Sequence, residues 1–97
     1  MYAFYYDAPG TPHIYHLVSE RIGTTRPDGL VDQVVTRTDT GLRHLNVWES
    51  REQWERFRDV TVRPAVAAVL VQFGIEPPVE PLIEHLLDLV DIGPGRG

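Results

Sequence analysis

The stretch Leu42-Arg43-His44-Leu45-Asn46-Val47-Trp48-Glu49 reads as a β-strand with two unlike faces. Successive side chains of a strand point to opposite sides, so Leu42, His44, Asn46 and Trp48 share one face. Arg43, Leu45, Val47 and Glu49 share the other. The first face carries imidazole, amide and indole; the second is aliphatic in its middle. Just upstream, residues 30–38 are short and β-branched, and they end at Asp39-Thr40-Gly41. Two such runs around a three-residue, glycine-containing turn read as a β-hairpin. Just downstream, Ser50 with Gln53 three residues later is a capping box that opens a helix, with Trp54 and Phe57 as its apolar stripe.

Working outward, residues 1–7 (Met1-Tyr2-Ala3-Phe4-Tyr5-Tyr6-Asp7) form an aromatic-rich strand. Its period places Tyr2, Phe4 and Tyr6 on one face and Ala3 and Tyr5 on the other. Ala8-Pro9-Gly10 breaks it. Thr11 then caps a helix with Pro12 at its first position, and Ile14, Leu17, Val18 and Ile22 recur at helical spacing up to Gly23. That predicts a first helix over 12–22 and a loop over 24–29. In the second helix Pro64 lacks the donor that an interior position needs, which predicts a kink or restart near Arg63. Residues 65–73 resume the helix and Gly74 ends it. The segment 79–90 fits either period, helical or alternating; the unpaired hairpin before it favours a strand that completes a sheet. Residues 93–97 read as a flexible polar tail behind one domain over 1–92.

Composition bounds the function. The chain has 97 residues, no cysteine and a formal net charge of −5; it is 42% hydrophobic and 24% charged. That is enough apolar content for one folded domain, though a chain this short buries only about 60–65% of its unfolded surface. Without cysteine there is no disulfide, no thiol nucleophile and no thiolate metal site. All nine basic residues are arginine, which excludes a Schiff-base lysine and a P-loop lysine. An acidic balance without a basic stripe argues against nucleic acid as a partner. No apolar run nears the roughly 18–20 residues of a membrane span. A cytoplasmic protein with neither nucleic-acid nor membrane partners is the expectation.

The element order is β-α-β-β-α-β, the ferredoxin-like split arrangement: an α+β fold with a four-stranded antiparallel sheet and both helices on one face. The other face, read as rich in tyrosine, tryptophan and leucine, would be an exposed apolar patch. A second copy is its simplest cover. The chain is therefore expected to be a homodimer closing an α+β barrel.

The run from Leu42 through Trp48-Glu49-Ser50 to Trp54 and Phe57 resembles the antibiotic biosynthesis monooxygenase-like domains, which are dimeric α+β barrels. Length and element order agree, so the resemblance covers nearly the whole chain. It implies a cofactor-independent monooxygenase, or a related cyclase or isomerase, acting with O2 on a hydrophobic, aromatic or polyketide-like small molecule. Some members use an Asn four residues before the motif Trp and a Tyr six after it. His44 and Trp54 stand at those places here, so only Trp48 carries over directly, as packing surface and indole donor. The heme-degrading branch places a Trp and an iron-binding His where this chain has Phe57 and Val66, so that chemistry is not implied.

From the residues themselves, His44 is the candidate base, because imidazole titrates near neutrality. Asn46 would orient a developing oxyanion, and Trp48 would be the stacking platform. Tyr2, Phe4, Tyr6 and His85 would line the pocket. His44 can also be read as a half-buried hydrogen-bonding residue at a dimer interface, and Trp48 as core. His13 and His16, with Glu20, make at most two imidazoles and a carboxylate on a helix surface, so no metal site is expected. Glu84, Asp88 and Asp91 read as a solvated face, and Arg51, Arg56 and Arg58 as surface ion pairs with Glu52 and Glu55. The alternative to an enzyme is a non-catalytic dimeric module that binds a small hydrophobic ligand or serves a structural, stress-associated role.

Overall fold

Two hairpin strands, an aromatic first strand and a two-residue last strand assemble one sheet in the order β2-β3-β1-β4, every pair antiparallel. The computed structural model describes residues 1–76 and 82–92. The elements are β1 (Tyr2–Pro9), α1 (Pro12–Ile22), β2 (Leu30–Arg37), β3 (Gly41–Trp48), α2 (Arg51–Phe57), α3 (Arg63–Gln72) and β4 (His85–Leu86). The α+β class and the antiparallel four-stranded sheet are as the sequence predicted, and the strand order is consistent with a ferredoxin-like arrangement.

The local signals act as their chemistry dictates. The Thr11 hydroxyl accepts from the Ile14 amide at 3.2 Å, and Pro12 opens α1 where its missing donor is not needed. The Ser50 hydroxyl accepts from the Gln53 amide at 3.3 Å and opens α2. Between α2 and α3 the helix widens into a π-helical turn over Arg58–Val62, immediately before Pro64. The wider turn relieves the clash that the proline ring would make with a carbonyl one turn earlier. The kink or restart predicted near Arg63 takes the form of this π-helical turn, with α3 starting at Arg63. At the hairpin end of the sheet, Gly41 lies so close to the Ala8 carbonyl of β1 that any Cβ there would collide with it.

The core lies between the sheet and the helices. Phe4 (0% exposed), Trp48 (1%) and Trp54 (3%) form its centre together with Tyr6, and Phe57 and Val62 pack on them. Trp48 of β3 thus lies under the helices and meets Trp54 of α2, which corrects the expectation of a tryptophan-bearing open face. The open face instead carries Tyr5, Arg43, Leu45 and Val47, none of them fully buried. The predicted last strand is present but brief. His85 and Leu86 pair with Tyr5 and Phe4, and the Leu87 amide adds a bond to the Ala3 carbonyl at 2.9 Å. The start of that predicted element and the predicted tail over 93–97 lie outside the described residues. Among the described residues no helix is long and apolar enough to cross a membrane.

Candidate functional site

β3 sends Leu42, His44, Asn46 and Trp48 toward the helices, as the alternation required, and β1 adds Tyr2, Phe4 and Tyr6 beside them. Trp48 meets Trp54 and Phe57 of α2 at ring distances of 5.6 and 5.4 Å, and Phe4 meets Trp54 at 4.9 Å. This end of the layer is filled with aromatic side chains.

Asn46 is only 2% exposed. Its Oδ1 accepts the Trp48 indole N–H at 3.2 Å, which fixes which way the amide points. Its Nδ2 is left buried with no acceptor among the described residues. A buried donor without a partner costs about 1–3 kcal/mol, so its retention asks for a reason.

His44 stands two residues away on the same face, a Cα separation of about 6.5–7 Å in a strand. Its ring stacks on Tyr6 at 4.7 Å and 9°, and Tyr15 of α1 tilts against it at 5.7 Å. Burial pushes its pKa below the ordinary 6.5, with the Asp7 carboxylate pulling part of the way back. At neutral pH the imidazole is therefore unprotonated and able to accept a proton.

An open pocket of about 260 Å3 lies between α1 and the β2–β3 hairpin, beside this histidine. Pro12, Tyr15, Val35 and Leu42 form its walls, and the exposed side chains of His16, Thr36 and Arg37 stand at its mouth. Val35 is the cross-strand partner of His44, and Tyr15 packs on the His44 ring, so two lining residues adjoin His44, which does not itself line the pocket. A second hollow of about 290 Å3, lined by Leu17, Glu20, Arg21, Val69 and Gln72, contains none of the candidate residues.

The structure also reveals a polar cluster that the sequence reading assigned to the surface. Glu84 is half-buried against α2, where Oε1 accepts the Tyr2 hydroxyl at 2.8 Å. Its Oε2 accepts the Trp54 indole N–H at 2.8 Å and the Arg58 guanidinium at 3.1 Å. Burial pushes the Glu84 carboxyl up, but these three donors more than offset it and hold the pKa below the usual glutamate value. Burial and the Glu84 carboxylate raise the Tyr2 phenol to about 12, and burial raises Tyr6 further. Neither phenol ionises near neutrality, so neither serves as a base there. Glu84 and Arg58 are therefore neither solvated-face nor purely surface residues. The available signal was the need of a buried tyrosine hydroxyl and indole N–H for an acceptor.

The remaining candidates are dispersed. His85 lies on the opposite face, stacked on Tyr5 at 4.7 Å, so it does not join His44, Asn46 and Trp48. His13 and His16 are exposed, and no group of three or more potential metal ligands occurs among the described residues. Compared with models of known protein families, the chain matches none, and a comparison with curated proteins also finds no match.

Proposed function

We propose that the protein is a cofactor-independent monooxygenase for a phenolic aromatic molecule, with His44 as its base. The observation that carries the reading is His44 itself: half-buried, held unprotonated by burial, and adjoined by Tyr15 and Val35, which line a pocket of about 260 Å3. For a phenol in that pocket to lose its proton to the His44 ring, the Tyr15 side chain that packs on that ring must swing aside; the electron-rich anion would then react with O2. Oxidation of a ring methylene to a carbonyl consumes one O2 and releases one water, so no further reductant is needed. Asn46, with its free amide N–H groups, is the donor on the same strand face for the developing oxyanion. Trp48 holds the Asn46 amide in orientation through its indole N–H. The half-buried Leu45 and Val47 and the ring of Tyr5 make the open face the surface for a second copy, and sedimentation equilibrium reads that mass directly.

A second reading has its own observation. Asn46, Trp48 and Phe4 are almost without exposure, so the space under α2 is occupied by the protein's own side chains. That favours a non-catalytic module. Oxygen uptake with a panel of phenols that carry a ring methylene, from hydroxytetralins to anthrones, separates the two, measured beside the thermal melt of His44→Ala. The oxygenase reading expects uptake by the wild type and its loss in a variant that melts nearly as before. No uptake by the wild type, with His44→Ala only lowering the melting temperature, overturns it in favour of the second reading.

A further inference from the structure

We propose that the pocket between α1 and the β2–β3 hairpin takes a small aromatic carboxylate, with the Arg37 guanidinium as its anion anchor. This rests on the site placement argued above and adds the charge and size of the ligand.

Arg43, Arg51, Arg58 and Arg63 each have a carboxylate partner, and of the described arginines without one, Arg21, Arg26, Arg37 and Arg56, Arg37 alone lines this pocket. It stands at the mouth of a pocket whose lining contains no acidic residue, in a chain of net charge −5. The His16 imidazole and the Thr36 hydroxyl stand beside it and add hydrogen-bonding groups of their own. A guanidinium free of a protein carboxylate binds an external one through two parallel N–H bonds, so the mouth is matched to a carboxylate rather than to a neutral group.

The walls select the remainder of the ligand. Tyr15, Pro12 and Leu42 offer ring and aliphatic surface, the surroundings that a planar apolar body fills. The volume of about 260 Å3 falls below the roughly 300–1,000 Å3 of pockets for drug-sized ligands. That points to one or two rings rather than an extended polycycle. Arg37 and Val35 lie two residues apart on the same face of β2, about 6.5–7 Å along the strand, and Val35 pairs with His44. A ring carrying a carboxylate at one end and a phenol at the other spans a comparable distance. Held at Arg37 by its acid, it directs its hydroxyl toward the Tyr15 and Val35 side chains that adjoin His44.

Two-dimensional NMR titration with 6-hydroxy-2-naphthoate and its methyl ester tests this. The acid is expected to bind the wild type at least about tenfold more tightly than the ester, with shift changes centred on Tyr15, Val35 and Arg37. Arg37→Gln should erase the preference and leave the ester's affinity unchanged; His44→Ala should keep the preference. Equal binding of acid and ester, binding of neither, or an unchanged preference in Arg37→Gln overturns the anchor. Oxygen uptake in parallel samples of 6-hydroxytetralin-2-carboxylate and its methyl ester, which carry the ring methylene that the reaction oxidises, keeps the two readings apart. A preference without uptake leaves Arg37 as anchor and removes the oxygenase. Uptake with equal KM for acid and ester removes the anchor and leaves the oxygenase.

Discussion

The sheet carries the same pair of rings twice, once on each face. Tyr6 and His44 stack at 4.7 Å beneath the helices, and Tyr5 and His85 stack at 4.7 Å on the open side. Tyr5 and Tyr6 are neighbours on β1, so strand alternation alone sends them apart. What differs is the cover. Tyr15 and α1 close over His44, and the lost solvent pushes its pKa down. His85 stays exposed, and its tyrosine lies under the Arg43 guanidinium at 4.5 Å, with Arg43 paired to Asp7 at 2.8 Å. The residue types are the same on both faces; the layer above them turns one pair into a candidate base and leaves the other as an exposed stack.

Substitutions on the two faces should therefore fail in different ways. Phe4→Ala removes a fully buried ring at the centre of the helix-side core and should cost about 3–5 kcal/mol, a large share of a small domain's stability. On the proposed open-face interface, Leu45→Asp should keep the far-UV circular dichroism of the wild type while shifting the sedimentation mass from that of the proposed dimer to that of a monomer. A Phe4→Ala protein that melts like the wild type would show that the aromatic layer is not the core. A Leu45→Asp protein that stays dimeric would remove the open face as the interface.

The next effect concerns how the last strand is fastened. Only His85 and Leu86 join the sheet ladder, while Glu84 ties the segment to β1, α2 and the π-helical turn through three donors. Glu84→Ala strands those donors and should cost about 2 kcal/mol. Hydrogen exchange should then speed up at the Leu87 amide, which bonds the Ala3 carbonyl. Unchanged protection there would mean that the two-residue ladder holds the segment unaided.

Much of this was legible in the sequence, for reasons that can be named. Thr11-Pro12, Ser50 with Gln53, Gly74 and the alternation of β3 are local signals, and each acts within a few residues of itself. The grouping of His44, Asn46 and Trp48 follows from the same period of two. Glu84 was not legible, because its partners lie 82, 30 and 26 positions away and a charged residue beside apolar ones fits a solvated face equally well. His85 was misgrouped because a face cannot be assigned to an edge strand until its register is known, and pairing with Tyr5 sets it opposite His44. The pocket beside His44 was also out of reach, since it depends on how α1 crosses the hairpin.

The smallest effect is the most specific test of what the cover does. His44 has a folded pKa below its ordinary 6.5, so the unfolded chain binds the proton more readily. The stability contributed by the neutral buried ring is complete above pH 6.5 and drains away as the pH falls below it. Glu84 follows the same sign at a lower range: its folded pKa lies below the ordinary 4.5, so its share is complete above that pH and is lost on further acidification. Thermal melts from pH 8 to pH 3 should therefore decline in two stages. His44→Gln should remove the first stage and leave the second. Glu84→Gln should shrink the second without abolishing it, because Arg43 and Arg58 also hold Asp7 and Asp59 low. A first stage that survives His44→Gln would mean that the cover over His44 does not keep it neutral, and the difference between the two tyrosine–histidine stacks would lose its chemical meaning.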